Sequence, residues 1–161
     1  STRPTVISHA NPQAANPTER NKSERVMRAL AESGGLMGFS CYPFHLPAGS
    51  ATTLEQFTDM VARAVDVMGV EHLAIGTDLC QDQPVDVLTW MRNGNWAKTM
   101  DYGEGSAEQP SWPEPLSWLG GVGDFGNIET GLETRGFAPS EVDALMGGNW
   151  RRYLEDALPP Q

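Results

Sequence analysis

Three apolar runs in the first half of the chain end in side chains that can do chemistry. They end in His9, in Cys41 and Tyr42, and in Asp78. Parallel strands deliver their last residues to one edge of a sheet, and active sites form at that edge. A histidine there suits metal binding or acid–base catalysis, and an aspartate suits proton transfer. The alternatives are a core or capping histidine and a turn aspartate.

The spacing of the apolar runs indicates strands separated by single helices. We predict strands at 4–9, 36–42 and 72–78. The helix between the first two strands is predicted to begin beyond Asn21, with Glu24 at the capping-box offset. Strands that alternate with single helices form βαβ units, so the sequence predicts an α/β fold with a parallel sheet.

The second helix has the clearest pattern in the chain. Thr53 and Gln56 form a predicted capping box at its start, and Gly69 is expected to end it. Between them an apolar stripe repeats with the period of an α-helix, which predicts one face packed on the core. The residues of that stripe are Leu54, Phe57, Met60, Val61, Ala64, Val65 and Met68.

Residues 82–120 break the alternation and show little periodicity. Four of the five tryptophans lie here: Trp90, Trp96, Trp112 and Trp118. We predict an ordered, aromatic-rich insertion, because disordered segments contain few aromatic residues and long ordered loops usually carry function. Residues 121–161 are predicted to close the chain with helices, with a break at 147–149.

The composition excludes several classes of partner. The 161 residues carry a net charge of −10, which disfavours nucleic acid and anionic membrane surfaces. No apolar stretch reaches the roughly 18 residues of a membrane span, and no signal peptide is visible. We expect a soluble protein of the cytoplasm or periplasm. Cys41 and Cys80 make no disulfide framework, and although a bond between them is sterically possible, we expect two reduced, partly buried thiols. The absence of a CxxC spacing disfavours a thiolate metal site.

Three βα units are too few for a closed barrel. A (β/α)₈ barrel needs eight such units and usually about 250 residues. The chain is therefore either a small open sheet or the C-terminal part of a larger barrel. Because it opens directly into a predicted buried strand, we expect an N-terminal portion to be missing.

The order of these motifs resembles the membrane-dipeptidase family (peptidase family M19), specifically its C-terminal portion. The matching motifs are Val6-Ile7-Ser8-His9, Arg20-Asn21, Gly76-Thr77-Asp78, Gly136-Phe137 and Gly147-Gly148-Asn149-Trp150-Arg151. The resemblance covers nearly the whole chain and is weakest across 82–120. Each motif is short, but their order and spacing together are fairly specific.

The resemblance implies three C-terminal βα units of a (β/α)₈ TIM-type barrel, with the aromatic insertion and the C-terminal helices added. Family members hydrolyse dipeptides with a binuclear zinc site at the mouth of the barrel. Their ligands are a His-x-Asp pair, a bridging glutamate and two histidines, of which only the last matches here, at His9. The other ligands would precede residue 1, so the expected partner is an N-terminal chain or segment of the same barrel. A homo-oligomer is left open.

The resemblance also assigns roles to site residues. His9 would bind zinc, and Asp78 would move a proton from the attacking water to the leaving amine. Arg20 would hold the carboxylate of the dipeptide, and Tyr42 would line the substrate pocket. His45, which lies nearby among prolines, is a weaker candidate for substrate contact.

Two departures from the family pattern bear on the substrate. The family often has Gly-Ser-Asp-Phe-Asp-Gly at its last strand, whereas this chain has Gly76-Thr77-Asp78-Leu79-Cys80-Gln81, without the second aspartate. The insertion at 82–120 also replaces a shorter segment. The leading prediction is zinc-dependent hydrolysis of dipeptides. The alternatives are another metal-dependent amidohydrolase or lactonase barrel, and a non-catalytic binding module that lacks the metal site.

Overall fold

A parallel sheet of three strands organises the fold. The computed structural model describes residues 5–91 and 105–158. The strands are β1 (Val6–Ile7), β2 (Leu36–Phe39) and β3 (Leu73–Ile75), in the order β1-β2-β3. Both pairs of neighbouring strands are parallel, so the predicted βαβ alternation is confirmed. Each strand is shorter than predicted, and Pro4, at the start of the first predicted strand, lies outside the described residues.

The part of the chain that the structure describes contains six α-helices. They are α1 (Glu24–Glu32), α2 (Leu54–Met68), α3 (Val85–Met91), α4 (Phe125–Arg135), α5 (Pro139–Asp143) and α6 (Asn149–Ala157). The predicted capping box of α2 is present: the side chains of Thr53 and Gln56 each accept from the other residue's backbone N–H. Within the described ranges no helix combines the length and apolarity that a membrane span needs.

The capping interaction predicted for the start of α1 is replaced by other contacts. The helix begins at Glu24, and its N-cap is Ser23. The Asn21 side chain instead donates to the backbone oxygens of Asn16 and His45, at 2.8 and 2.9 Å. These partners lie in other loops, so Asn21 connects the segments around the strand ends instead of capping the helix.

The hydrophobic core lies between the sheet and α2. Phe39 of β2 packs edge-on against Phe57 of α2, with ring centroids 6.2 Å apart. Phe57 also contacts Trp118 at 5.1 Å, and the Trp118 indole donates to the Thr52 carbonyl at 2.8 Å. Strand β2 is buried along its whole length, as expected for a central parallel strand. Each fully buried large apolar side chain of this kind stabilises the fold by about 1.5–3 kcal/mol.

The chain divides into two compact units. Residues up to Leu79 and from Leu116 onward form the first unit, and Cys80–Pro115 forms the second. The second unit contains α3, a regular helix within the segment for which we predicted little periodicity. Asp86 in the first turn favours this helix because a negative charge there interacts with the helix dipole.

The tryptophans of 82–120 have different environments. Trp118 is buried in the core of the first unit, whereas Trp90 is 64% exposed. In the second unit, the Trp112 indole donates to the Pro84 carbonyl at 3.3 Å. Trp96 lies outside the described residues, as do all of residues 92–104. Trp118 is therefore part of the core, whereas Trp90 lies largely in solvent.

Two side chains of the Gly147-Gly148-Asn149-Trp150-Arg151 motif hold helix α6 against β3 and the turn before it. The buried Asn149 amide donates to the carbonyls of Val70 and Leu73, at 2.7 Å each. The Trp150 indole donates to the Ile75 carbonyl at 2.8 Å. The predicted break before this helix is a π-helical turn, Ala144–Gly148, with a non-helical backbone inside it.

Candidate active site beyond the strand ends

His9 lies directly beyond β1, at the edge of the sheet where all three strands end. Ser8 Oγ lies 2.8 Å from His9 Nδ1, and the guanidinium of Arg20 contacts Nε2. A guanidinium can only donate, so Nε2 holds the lone pair and Nδ1 carries the proton, which Ser8 Oγ accepts. This tautomer presents Nε2 to the site, as a metal ligand requires.

Two glycines make room for the turn that aims His9. A Cβ atom at Gly38 would lie 2.1 Å from the Ser8 carbonyl oxygen, and one at Gly76 would lie 2.0 Å from it. Neither distance can accommodate a side chain. Glycine on β2 and just beyond β3 therefore lets the Ser8 peptide lean over the neighbouring strands, and this sets the position of His9.

We expect Gly76→Ala to destabilise the protein by about 1–3 kcal/mol, the usual cost of an overpacked site. The added methyl group meets the Ser8 carbonyl and Gly38 Cα, which are backbone atoms and yield only if the strand ends move. Denaturant unfolding of the complete protein measures the loss. Gly126→Ala is the matched control, since a Cβ there meets nothing within 4 Å. Equal stability of the two variants would contradict the packing argument.

Asp78 lies beyond β3 and faces His9. Its Oδ2 is 3.9 Å from His9 Nε2, and the two side chains are 35% and 30% exposed, so both reach solvent. The backbone of Asp78 has φ 56°, in the left-handed region that aspartate adopts more readily than most residues. Strained backbone of this kind clusters at functional sites. Here it accompanies a carboxylate that is directed at the candidate metal ligand.

Arg20 lies in the exposed loop before α1, and its side chain reaches across to His9. Lys22 Nζ donates to the Arg20 carbonyl at 2.6 Å, which steadies this part of the loop. The Arg20 guanidinium donates a hydrogen bond to the lone pair of His9 Nε2. A metal ion would need the same lone pair, so the arginine has to leave Nε2 when a metal binds. The structure thus brings His9, Arg20 and Asp78 together.

Two buried asparagines tie together the loops that carry these residues. The Asn11 amide donates to the carbonyls of Ser40 and His45, at 2.9 and 3.1 Å, and accepts from the Ser40 N–H at 3.1 Å. The Asn21 side chain accepts from the Asn11 N–H at 3.0 Å. Asn11 follows His9 by two residues, and Asn21 directly follows the predicted carboxylate-binding arginine. No local sequence pattern reveals this network, because its partners lie on different loops.

His45 lies beside the site in the loop after β2. Its Nδ1 is 2.8 Å from Ser40 Oγ. Burial, and to a smaller extent the positive charges of Arg20 and Lys22, lower the pKa of His45 to about 4. The ring is therefore neutral at neutral pH.

Tyr42 lies at the end of the predicted second strand and packs among aromatic rings. Its ring centroid is 5.7 Å from that of Phe44 and 5.2 Å from that of His45. The hydroxyl oxygen of Tyr42 is buried. The structure therefore shows how the ring supports the loop after β2, and its contact with substrate stays a prediction.

The two cysteines are free thiols, as expected. Cys41 is buried and Cys80 is exposed, rather than both being partly buried. Burial raises the pKa of the Cys41 thiol to about 12. A thiol with that pKa stays protonated at neutral pH and is not a nucleophile.

His9 is the residue of this site that could bind a metal ion. Within residues 5–91 and 105–158, no three histidine, cysteine or carboxylate side chains converge in a way that could hold a metal ion. Zinc sites use three or four protein ligands, so His9 needs partners from another segment. The lone pair of Nε2, the proton on Nδ1 and the nearby Asp78 carboxylate suit a cation at this place.

The fold and the candidate site together are those of an α/β protein whose functional residues lie beyond the carboxyl ends of parallel strands. Residues 1–98 match the model of the family described as membrane dipeptidase (peptidase family M19). The chain belongs to this family. The resemblance that the sequence motifs predicted is therefore confirmed.

Several proteins resemble the chain over nearly all of its length. A Klebsiella pneumoniae protein, described as an uncharacterized protein in the pqqA 5′ region, is 32% identical over 159 residues, which are 96% of this chain and 47% of that protein. An amidohydrolase from Pseudomonas aeruginosa has a TM-score of 0.83 and 27% identity, with 97% of this chain and 46% of that chain covered. The chain therefore spans about half the length of these relatives.

The fold is also shared with metallopeptidases. A metallopeptidase from Rhodobacter sphaeroides, liganded with a phosphinate mimic of the dipeptide L-Ala-D-Ala, has a TM-score of 0.70 and 18% identity. The match covers 96% of this chain and 36% of that one. At this identity the likeness shows the fold, an α/β arrangement with a small parallel sheet.

Proposed function

We propose that this chain is the C-terminal part of a zinc-dependent dipeptidase. The observation that carries the proposal is the convergence of His9, Arg20 and Asp78 beyond the ends of parallel strands. These residues occupy the positions where the family motifs lie in the sequence. Membership in the membrane-dipeptidase family and the fold shared with a dipeptide-mimic complex support dipeptides as substrates.

His9 would hold zinc through Nε2. The Ser8 hydroxyl accepts from Nδ1–H and thereby fixes the ring orientation, as partners of metal-binding histidines usually do. A pair of bound zinc ions would lower the pKa of a water molecule and polarise the scissile carbonyl. The other ligands of the binuclear site would come from the N-terminal portion.

Asp78 would transfer the proton, and Arg20 would bind the substrate. The Asp78 carboxylate would take the proton of the attacking water and return it to the leaving amine. Arg20, once it leaves His9 Nε2, would bind the carboxylate of the dipeptide with its planar fork of donors. Tyr42 would line the pocket from the loop after β2.

An N-terminal chain or segment would complete the sheet into a (β/α)₈ barrel. Strands β1 and β3 are the two edge strands of the three-stranded sheet. Open edges present backbone groups that need partners, and a closed barrel supplies partners for both. The match to about 46% of the amidohydrolase chain supports this division. The net charge of −10 favours a small-molecule substrate over nucleic acid.

A second candidate function is hydrolysis of lactones or cyclic amides. It is favoured by the likeness to the Pseudomonas aeruginosa amidohydrolase, whose TM-score of 0.83 exceeds the 0.70 of the dipeptide-mimic complex. Such substrates have no free carboxylate for Arg20. The third candidate is a non-catalytic binding module that lacks the metal site.

A substrate panel with the complete zinc-loaded protein tests the proposed function. We expect turnover of dipeptides with a free carboxylate and little turnover of their amides or of lactones. Turnover of lactones alone would establish the second candidate. Binding of ligands without any turnover would establish the binding module.

We expect His9→Ala in the complete protein to lose about one zinc ion per active site, because a four- or five-coordinate site does not tolerate the loss of a protein ligand. Elemental analysis after dialysis measures the stoichiometry. His72→Ala is the matched control, since His72 lies at the opposite end of β3, where Nδ1 donates to the Gly35 carbonyl at 2.8 Å. Two tightly held zinc ions in His9→Ala would refute the ligand assignment.

A further inference from the structure

We propose that His45 is a substrate-binding residue whose Nε2–H donates to the carboxylate of the substrate, beside Arg20. The inference rests on the proposed dipeptidase function and adds a second donor to its carboxylate-binding end. Three observations support it: the ring nitrogen that carries the proton, the charges near the ring, and the contacts that hold the loop containing His45.

Ser40 determines which nitrogen of the His45 ring carries the proton. The Ser40 hydroxyl accepts from the Tyr42 backbone N–H at 3.2 Å and lies 2.8 Å from His45 Nδ1. Ser40 is fully buried, so its own proton needs an acceptor within the protein. Nδ1 is within reach and takes that hydrogen bond. The neutral ring therefore carries its proton on Nε2, which makes Nε2 a donor.

The surroundings of the His45 ring favour an anion. The positive charges of Arg20 and Lys22 disfavour a proton on this ring, and the same charges attract a carboxylate. A neutral donor can lie near a guanidinium without the repulsion that a second cation would cause. The Arg20 fork and one neutral N–H together match the two oxygens of a carboxylate, each of which can accept more than one hydrogen bond.

The His45 loop is fixed before any substrate binds. The His45 carbonyl accepts from the amides of Asn11 and Asn21, at 3.1 and 2.9 Å. Its ring packs edge-on against Tyr42 at 5.2 Å. Asn21 directly follows Arg20, so one amide connects the backbones of both donors. A donor held in this way loses little freedom on binding, and its hydrogen bond contributes to affinity.

The test measures binding to the complete zinc-loaded enzyme. The probes are a phosphinate dipeptide mimic with a free carboxylate and the corresponding carboxamide, titrated by calorimetry. We expect His45→Phe to weaken binding of the acid by about 10- to 100-fold, as for loss of a hydrogen bond to a charged group, and of the amide by less than about 3-fold. Phenylalanine keeps the ring that faces Tyr42 but has no donor. His45→Gln restores an N–H and should recover most of the loss.

Kinetics separate this role from a structural one. In dipeptide hydrolysis, His45→Phe should raise KM and change kcat by less than about 3-fold, because the contact is made in both the bound substrate and the transition state. His72→Phe is the matched control and should leave the discrimination between acid and amide unchanged. Equal loss for acid and amide, or no loss for either, would overturn the role of His45 while wild-type dipeptide turnover upholds the function. A wild type that neither binds the acid nor cleaves dipeptides overturns both.

Discussion

Asp78→Asn is expected to lower kcat for dipeptides by about 10²- to 10⁴-fold while the metal content stays unchanged. Asparagine keeps the size of the side chain and tolerates the left-handed backbone at φ 56°, but it cannot accept a proton. The Asp78 Oδ2 lies 3.9 Å from His9 Nε2, too far for a direct hydrogen bond and close enough for both to face one reacting group. The loss should therefore fall on proton transfer and not on metal binding.

Steady-state kinetics and metal analysis of the same preparation measure this effect. Asp82→Asn is a matched control, because Asp82 is also an aspartate with φ 56°. It should retain wild-type turnover, which separates the carboxylate of Asp78 from a general effect of replacing aspartate on a strained backbone. Full turnover by Asp78→Asn would leave Asp78 with a structural role alone. Loss of both bound metal and turnover in Asp78→Asn would instead identify Asp78 as a metal ligand.

The sequence predicted those parts of the fold that depend on local patterns. The apolar stripe of α2 and its Thr53 capping box were predictable because helix periodicity and capping act within a few residues. The ends of the strands were placed too far out, because the point at which pairing stops depends on the neighbouring strand, which is distant in the sequence, and not on the local residues. Helix α3 was missed because it is only seven residues long and has no clear apolar period.

The candidate site was predictable only in part. His9, Arg20 and Asp78 were assigned from motifs, and the structure brings them into contact or close approach. The asparagine network was not predictable, since Asn11 bonds to groups 29 and 34 residues away. The role of His45 depends on the same long-range contacts. An isolated histidine among prolines carries no sign of which charges surround its ring.

Arg20→Ala is expected to lower kcat/KM for dipeptides by about 30- to 1,000-fold, corresponding to the roughly 2–4 kcal/mol lost when one partner of a charge pair is removed. Arg20→Lys should recover only part of this loss, since an ammonium group cannot reproduce the bidentate fork. C-terminally amidated dipeptides should be poor substrates for the wild type and almost insensitive to either substitution. The measurement is kcat/KM for each acid and amide pair with each variant.

The contact between Arg20 and His9 Nε2 supplies an independent readout of the same variant. Because the guanidinium and a metal ion require the same lone pair, Arg20→Ala removes a competitor and should leave zinc affinity equal to or above that of the wild type. A substitution that merely disordered the loop before α1 would weaken metal binding and would reduce turnover of acids and amides equally. Loss confined to free carboxylates, with zinc retained, would identify Arg20 as the residue that distinguishes a dipeptidase from a lactonase at this site.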